Sequence, residues 1–173
     1  MKEKIHVFNT PEETAREVAR LIVQNINRQA DRQQFFNMAL SGGNTPALLF
    51  HILASEFTGQ VQWNVLRIFW VDERCVPPSD KDSNYGMTYE NLLKKEFVPA
   101  ANIFRMNAEY DPMAETLRYQ SLLASELPLN DGIPVFDLVL LGMGDDGHMA
   151  SIFPDNMSLL NSVETVAVVQ HPQ

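Results

Sequence analysis

The stretch FFNMALSGGNTPALLF (Phe35–Phe50) decides how the rest of this chain is read. Phe35–Leu40 is a short apolar run with the length and composition of a buried strand. It breaks at Ser41-Gly42-Gly43-Asn44, and Thr45-Pro46 predict the opening of a helix carrying Leu48, Leu49, Ile52 and Leu53. A strand that turns through glycines straight into a helix is the repeating unit of an α/β domain.

The flanking sequence extends that pattern in both directions. Upstream, Thr10 is placed to cap a helix, Pro11 suits its first position and Glu13 completes a capping box. Ala15, Val18, Ala19, Ile22 and Ile26 then follow at helical spacing. Downstream, Leu66–Val71 predicts a strand ending at Asp72-Glu73-Arg74, and a polar loop runs to Ser83. A helix is predicted from there to about Glu96, stopped by Pro99, then a short strand over Ile103–Met106. Asp111-Pro112 opens a helix to about Leu127. Phe136–Leu141 reads as the most apolar and most buried strand, and Val163–Val169 as a last one. Strands alternating with helices predict an α/β domain with a mainly parallel sheet between two helical layers. With no repeat and no linker, the expectation is a single domain over residues 1–173.

Composition excludes several classes. Hydrophobic residues make up 45% and charged residues 20%, which is ordinary globular usage rather than that of a disordered or fibrous chain. Thirteen Lys and Arg against 22 Asp and Glu give a net charge of −9 with no basic stripe, so neither nucleic acid nor an anionic membrane surface is expected as a partner. The N-terminal Met1-Lys-Glu-Lys-Ile-His lacks the apolar core of a signal peptide, and no apolar run approaches the length of a membrane span. A single cysteine, Cys75, fits a reducing compartment. The expectation is a soluble, cytoplasmic protein of unassigned oligomeric state.

In open α/β sheets ligands sit beyond the carboxyl ends of strands. Three polar clusters fall there: Ser41–Thr45, Asp72–Arg74 and Gly142–His148. The first offers glycine amides and hydroxyls at a helix N-terminus, which suits an anion, although a plain tight turn would use the same glycines. No Gly-Lys-Ser/Thr follows, so a nucleoside triphosphate is not implied. In the second, Arg74 offers a planar fork for phosphate, carboxylate or oxyanion, or pairs locally with Asp72 or Glu73. Cys75 beside it reads as packing. The third matches GxGxxG literally, but Asp145 and Asp146 would repel a pyrophosphate and Pro154 interrupts the helix such a site needs. What remains is a glycine turn presenting Asp146 and His148, and a histidine beside an acid is suited to general-base chemistry near neutral pH. His6, His51 and His171 read as surface or packing residues, Met143 and Met149 as core filler, and no metal-ligand spacing is present.

Taken in order, Ser41-Gly-Gly-Asn-Thr-Pro46, Asp72-Glu-Arg-Cys-Val-Pro77 with Ser83-Asn-Tyr85, and Leu141-Gly-Met-Gly-Asp-Asp-Gly-His-Met-Ala-Ser-Ile-Phe-Pro154 resemble the 6-phosphogluconolactonase family, over nearly the whole chain. That family is a branch of the group that includes glucosamine-6-phosphate deaminases. The resemblance implies a modified doubly wound, Rossmann-like α/β/α sandwich. It also implies cofactor-free hydrolysis of a phosphorylated sugar lactone, 6-phospho-D-glucono-1,5-lactone, in the pentose phosphate pathway. Carried onto this chain, it makes His148 the base, Asp146 its orienting partner or a sugar ligand, and Arg74 an anion or oxyanion donor. Ser41, Gly42, Gly43, Asn44, Thr45, Asp72 and Gly144 would bind the substrate. The deaminase branch differs by a Tyr where this chain has Arg74 and by a Glu where it has Phe153. A non-catalytic sugar-phosphate sensor on the same fold is the remaining alternative. Family members continue through a further strand–helix portion past the position of Gln173, so the resemblance also implies a C-terminally truncated domain with an unprotected sheet edge.

Overall fold

The computed structural model describes residues 4–170, with backbone alone at 155–158. The apolar run read first from the sequence lies at its centre. Helix α1 (Pro11–Asp31) leads into β1 (Phe36–Leu40), whose five residues are all buried. After α2 (Asn44–Glu56), β2 (Leu66–Trp70) pairs with β1 in parallel, from Phe36 opposite Leu66 to Leu40 opposite Trp70. Helix α3 (Asn84–Asn91) precedes β3 (Ile103–Phe104), which pairs with β2 on its far side. Helix α4 (Pro112–Glu126) is followed by a small antiparallel hairpin, β4 (Leu129–Asn130) and β5 (Ile133–Pro134). The chain then returns as β6 (Leu138–Val139) to the opposite flank of β1, giving the order β3-β2-β1-β6.

The layers follow from the two-residue period of the strands. Phe36, Met38 and Leu40 of β1 and Leu66, Ile68 and Trp70 of β2 join the core with Ala19, Ile22 and Ile26 of α1 and Phe50 and Leu53 of α2. Ala39 and Phe69 face the other way, into a second cluster with Tyr119 and Leu123 of α4. Helices therefore cover both faces of the parallel sheet, as the alternating pattern predicts. Local signals act as expected too. Thr10 accepts the Glu13 amide at 3.1 Å and caps α1, and the Glu13 carboxylate accepts the Asn9 amide at 3.0 Å, one residue earlier than in the standard capping box.

Four elements differ from expectation. The run Phe136–Leu141 is a half-buried edge segment, not the most buried strand. Only Leu138 and Val139 join the ladder, Leu138 and Leu140 reach the core, and Leu141 is 56% exposed. Its exposed residues, Asp137, Val139 and Leu141, share one face of the strand and the half-buried ones the other, so its burial alternates. Val163–Val169 forms no strand, because no neighbouring strand pairs with it among the described residues. It is held instead by Val166, packed on the second cluster, and by Gln120 Nε2, which donates to the Val166 carbonyl at 2.9 Å and to Glu164 at 3.0 Å. The helix expected to reach Glu96 stops at Asn91 and tightens into a 3₁₀ turn, Leu93–Lys95. The β4–β5 hairpin was not foreseen, although Asp131-Gly132, with φ of 51° and 81°, is the dipeptide that such a turn favours. Among the described residues no helix is long and apolar enough to cross a membrane.

One buried hydroxyl ties α4 to the sheet. Tyr119 OH accepts the Trp70 amide at 3.0 Å and donates toward the Trp70 and Phe104 carbonyls at 3.3 and 3.2 Å. Burial raises its pKa well above that of a free tyrosine. A phenol kept neutral in the fold but free to ionise when unfolded leaves stability unchanged below about pH 10, and stability falls as pH rises beyond that value. Tyr119→Phe is expected to lower stability by about 1–3 kcal/mol, because the Trp70 amide loses its partner. It should also remove this contribution to alkaline destabilisation. Urea melts of both proteins at neutral pH and above pH 10 check each part.

Candidate active site

The strand order creates the site. From β1 the chain adds β2 and β3 outward, then crosses back to place β6 on the other flank. Loops leaving the carboxyl ends of β1 and β6 therefore diverge and open a crevice between them. A cavity of about 540 Å³ lies there, lined by the turn 41–46, by Asp72 and Arg74, and by 140–144 with His148. Ser41, Gly42, Gly43, Asn44, Thr45, Asp72, Arg74, Gly144 and His148 are thus brought to one cavity from three distant segments. Asp146 does not line it and reaches it through His148.

The glycine turn is built to approach a ligand closely. Gly43, at φ 108°, precedes α2 as its N-cap and supplies no capping side chain. The first amides of α2 thus lack both an intrahelical acceptor and a side-chain cap, and the helix dipole adds about half a positive charge there. Ser41 is only 3% exposed, and its Oγ has no hydrogen-bond partner among the described residues. A buried hydroxyl without a partner beside an uncapped helix end suits an incoming oxyanion.

At the end of β2 the three charged residues divide the work. Glu73 is structural: its carboxylate accepts the Arg74 and Asn84 amides at 2.8 and 2.7 Å, the Tyr85 amide at 2.8 Å and the Ser83 hydroxyl at 3.2 Å. It thereby closes the loop onto the start of α3. Arg74 forms no ion pair with Asp72 or Glu73 among the described residues, and its Nη1 donates to the Asp82 carbonyl at 2.9 Å. The guanidinium is exposed at the cavity rim. Cys75 is an exposed thiol on the opposite side of Asp72.

The third cluster is a tight hairpin. Gly144 donates its amide to the His148 carbonyl at 2.8 Å, Gly147 donates to Gly144 at 2.9 Å, and Met149 bridges both Met143 and Ile152. Gly147 has φ 86°, and a Cβ on Gly144 would overlap the His148 ring, so both positions need glycine. Asp146 Oδ1 accepts the His148 amide at 3.2 Å and lies 2.5 Å from Nδ1. These two contacts hold the Asp146 carboxyl below the usual aspartate range. A proton kept on Nδ1 by the carboxylate leaves Nε2 as the basic nitrogen. The Phe153 ring packs against the imidazole with centroids 5.0 Å apart. Met143 and Met149, expected in the core, are exposed instead, Met143 at 77%, because the hairpin stands clear of the sheet.

Asn84 and Ser151 lie within the quoted segments Ser83–Tyr85 and Leu141–Pro154 without a site role read from the sequence, and both bond to Asp72. The Ser83-Asn84 pair at a helix start was a visible capping signal, whereas Ser151 carried none. His6 and His51 are exposed, and His171 lies outside the described residues. Among the described residues no three His, Cys, Asp or Glu side chains gather where they could hold a metal ion.

Comparison with known proteins gives consistent matches. Residues 9–173 match a family described as glucosamine-6-phosphate isomerases/6-phosphogluconolactonase. A 6-phosphogluconolactonase of Treponema pallidum is 40% identical over 169 residues, which cover 98% of this chain and 68% of that protein. The crystal structure of a protein described as devB superposes with a TM-score of 0.88 at 36% identity, covering 96% of this chain and 68% of the other. The 6-phosphogluconolactonase of Trypanosoma brucei superposes with a TM-score of 0.79 at 37% identity, covering 88% and 64%. This chain thus spans about two thirds of the length of these relatives.

The Asp146–His148 pair has a definite acid limit. A carboxyl lowered in the fold contributes its contact above the unfolded aspartate range, near pH 3.9, and loses it as pH falls through the lowered value. Gly144→Ala is expected to separate the pair and return that transition toward the ordinary aspartate range. An NMR titration following the Asp146 carboxyl carbon should show the upward move, and an unchanged transition would contradict this geometry.

Proposed function

This chain belongs to the glucosamine-6-phosphate isomerase/6-phosphogluconolactonase family, and we propose that it acts there as a lactonase. It hydrolyses 6-phospho-D-glucono-1,5-lactone to 6-phospho-D-gluconate, a step of the pentose phosphate pathway. The observation that carries this reading is the convergence, on one crevice, of an uncapped helix end, a guanidinium and an imidazole already paired with a carboxylate.

The substrate phosphate is received by the turn Ser41–Thr45, where the α2 amides and the buried Ser41 hydroxyl await acceptors. Asn44 and Asp72 hold sugar hydroxyls, and Gly144 lets the ring approach the hairpin. His148 Nε2 removes a proton from water as the water oxygen forms its bond to the lactone carbonyl carbon. Asp146 steadies the imidazolium that results. Arg74 offers its guanidinium to the oxyanion. When the tetrahedral adduct collapses, the bond from carbon to ring oxygen breaks and His148 returns the proton to that oxygen. The products are a carboxylic acid and an alcohol on one open chain, and the acid then ionises. A lactone is an activated ester, so one base and one oxyanion donor suffice without a covalent nucleophile. The hydrocarbon ring of Phe153 beside His148 also favours hydrolysis over the deaminase reading, which needs a further carboxylate at that point.

His148→Ala is expected to cut lactone turnover by about 10²–10⁴-fold over the spontaneous rate-corrected baseline. The same variant should keep the thermal stabilisation given by 6-phosphogluconate, because the phosphate turn is untouched. Ser41→Ala should do the reverse and weaken that stabilisation most. Full turnover in His148→Ala would remove the imidazole from the mechanism.

A further inference from the structure

Asn84 joins the glycine turn to the acid end of β2 in a way that helix formation alone does not require. The residue is 2% exposed. Its Nδ2 donates to the Asp72 carbonyl at 2.9 Å and to Asp72 Oδ1 at 3.2 Å. Its Oδ1 sits so close over Gly42 that a Cβ there would overlap it. Ser151, three residues past His148, donates its hydroxyl to the other Asp72 oxygen at 2.7 Å. One oxygen of Asp72 is therefore tied to α3 and the other to the hairpin that carries the imidazole. Asp72 itself stands on the wall between the larger cavity and a second one of about 370 Å³.

We infer that Asn84 is a positioning residue for the lactonase site: it fixes Asp72 and, by admitting only glycine at position 42, sets the spacing between the phosphate turn and the His148 hairpin. The inference rests on the functional reading above. The site asks for an amide in this place. A donor must face the Asp72 carboxylate while the other side of the same short group lies against Gly42. A carboxylate of the same shape would have no proton to donate and would set two negative charges together, so that one of them keeps a proton near neutral pH. The charged and titratable groups around Asp72 are Arg74 and His148 at the larger cavity, and Glu73, Cys75, Glu115, Tyr119 and Glu164 at the smaller.

The test compares the full chain with Asn84→Asp and Asn84→Ala, following lactone hydrolysis from about pH 6 to about pH 8. Each rate is divided by that of the wild type at the same pH, which removes the pH dependence common to all three proteins. Asn84→Asp is expected to lose roughly 10- to 100-fold in kcat/KM at the alkaline end. It should recover toward the acid end, where its proton makes it a donor again. Asn84→Ala should show a loss that does not recover. A ratio for Asn84→Asp that is flat with pH, or turnover within about twofold of wild type in either variant, overturns the inference. If neither variant folds, Ser151→Ala releases the other Asp72 oxygen from a half-exposed position, and unchanged turnover there overturns it equally. If the wild type itself hydrolyses no lactone, the functional reading fails, and the inference is read from inorganic phosphate in a thermal melt. A phosphate-induced rise in Tm that shrinks in Asn84→Ala supports it, and an absent or unchanged rise overturns it.

Discussion

The molecule depends on β1 being enclosed on every side. All five of its residues are buried, both flanks are paired, and both faces meet apolar side chains. A strand in that position can expose nothing polar along its length, so its amides and carbonyls must be satisfied by its neighbours. β2 does so along one flank; on the other the Asp137 carboxylate accepts the Asn37 amide at 2.8 Å, and the Asp137 and Leu140 amides donate to the Asn37 and Ala39 carbonyls. The carboxyl end leads out of the core past the buried Ser41 and through the two glycines. Burial of the strand and exposure of the turn are consequences of one requirement, and the crevice appears where that requirement ends.

Much of this was legible because the signals were local. The capping box at Thr10, the Asp111-Pro112 start of α4 and the glycine break after Leu40 act within a few residues of themselves. Burial across the sheet was less legible, because it depends on what lies beside a strand rather than on its own composition. Phe136–Leu141 is strongly apolar, yet alternates in exposure because only one of its faces is covered well. Val163–Val169 has strand composition and no partner strand among the described residues. At the site the clusters were visible as strand-end motifs, whereas the ties from Asn84 and Ser151 to Asp72 cross between segments and leave no local mark.

The net charge of −9 and a site shaped for an anion are compatible because they act over different distances. Surface carboxylates are screened within about 10 Å at ordinary ionic strength. The amides of the turn and the Ser41 hydroxyl act at hydrogen-bond distance, on a ligand that has left most of its water behind. Asp72 is the negative group inside the cavity itself, and donors from Asn84 and Ser151 already engage both of its oxygens. On the proposed reading, donors acting at hydrogen-bond distance would receive a small phosphate in spite of the global field.

The imidazole and its carboxylate stand two residues apart in one hairpin, whereas the turn that would hold the phosphate comes from the opposite half of the chain. Closing so short a loop takes on the order of 10–100 ns or less, but bringing the two halves together waits on the slow pairing of a parallel sheet. During folding the dyad is sampled early, but a pocket for it to serve exists only once the sheet has paired. Loss of ligand binding is accordingly a report on the sheet, because only the paired strands bring the turn and the hairpin to one crevice.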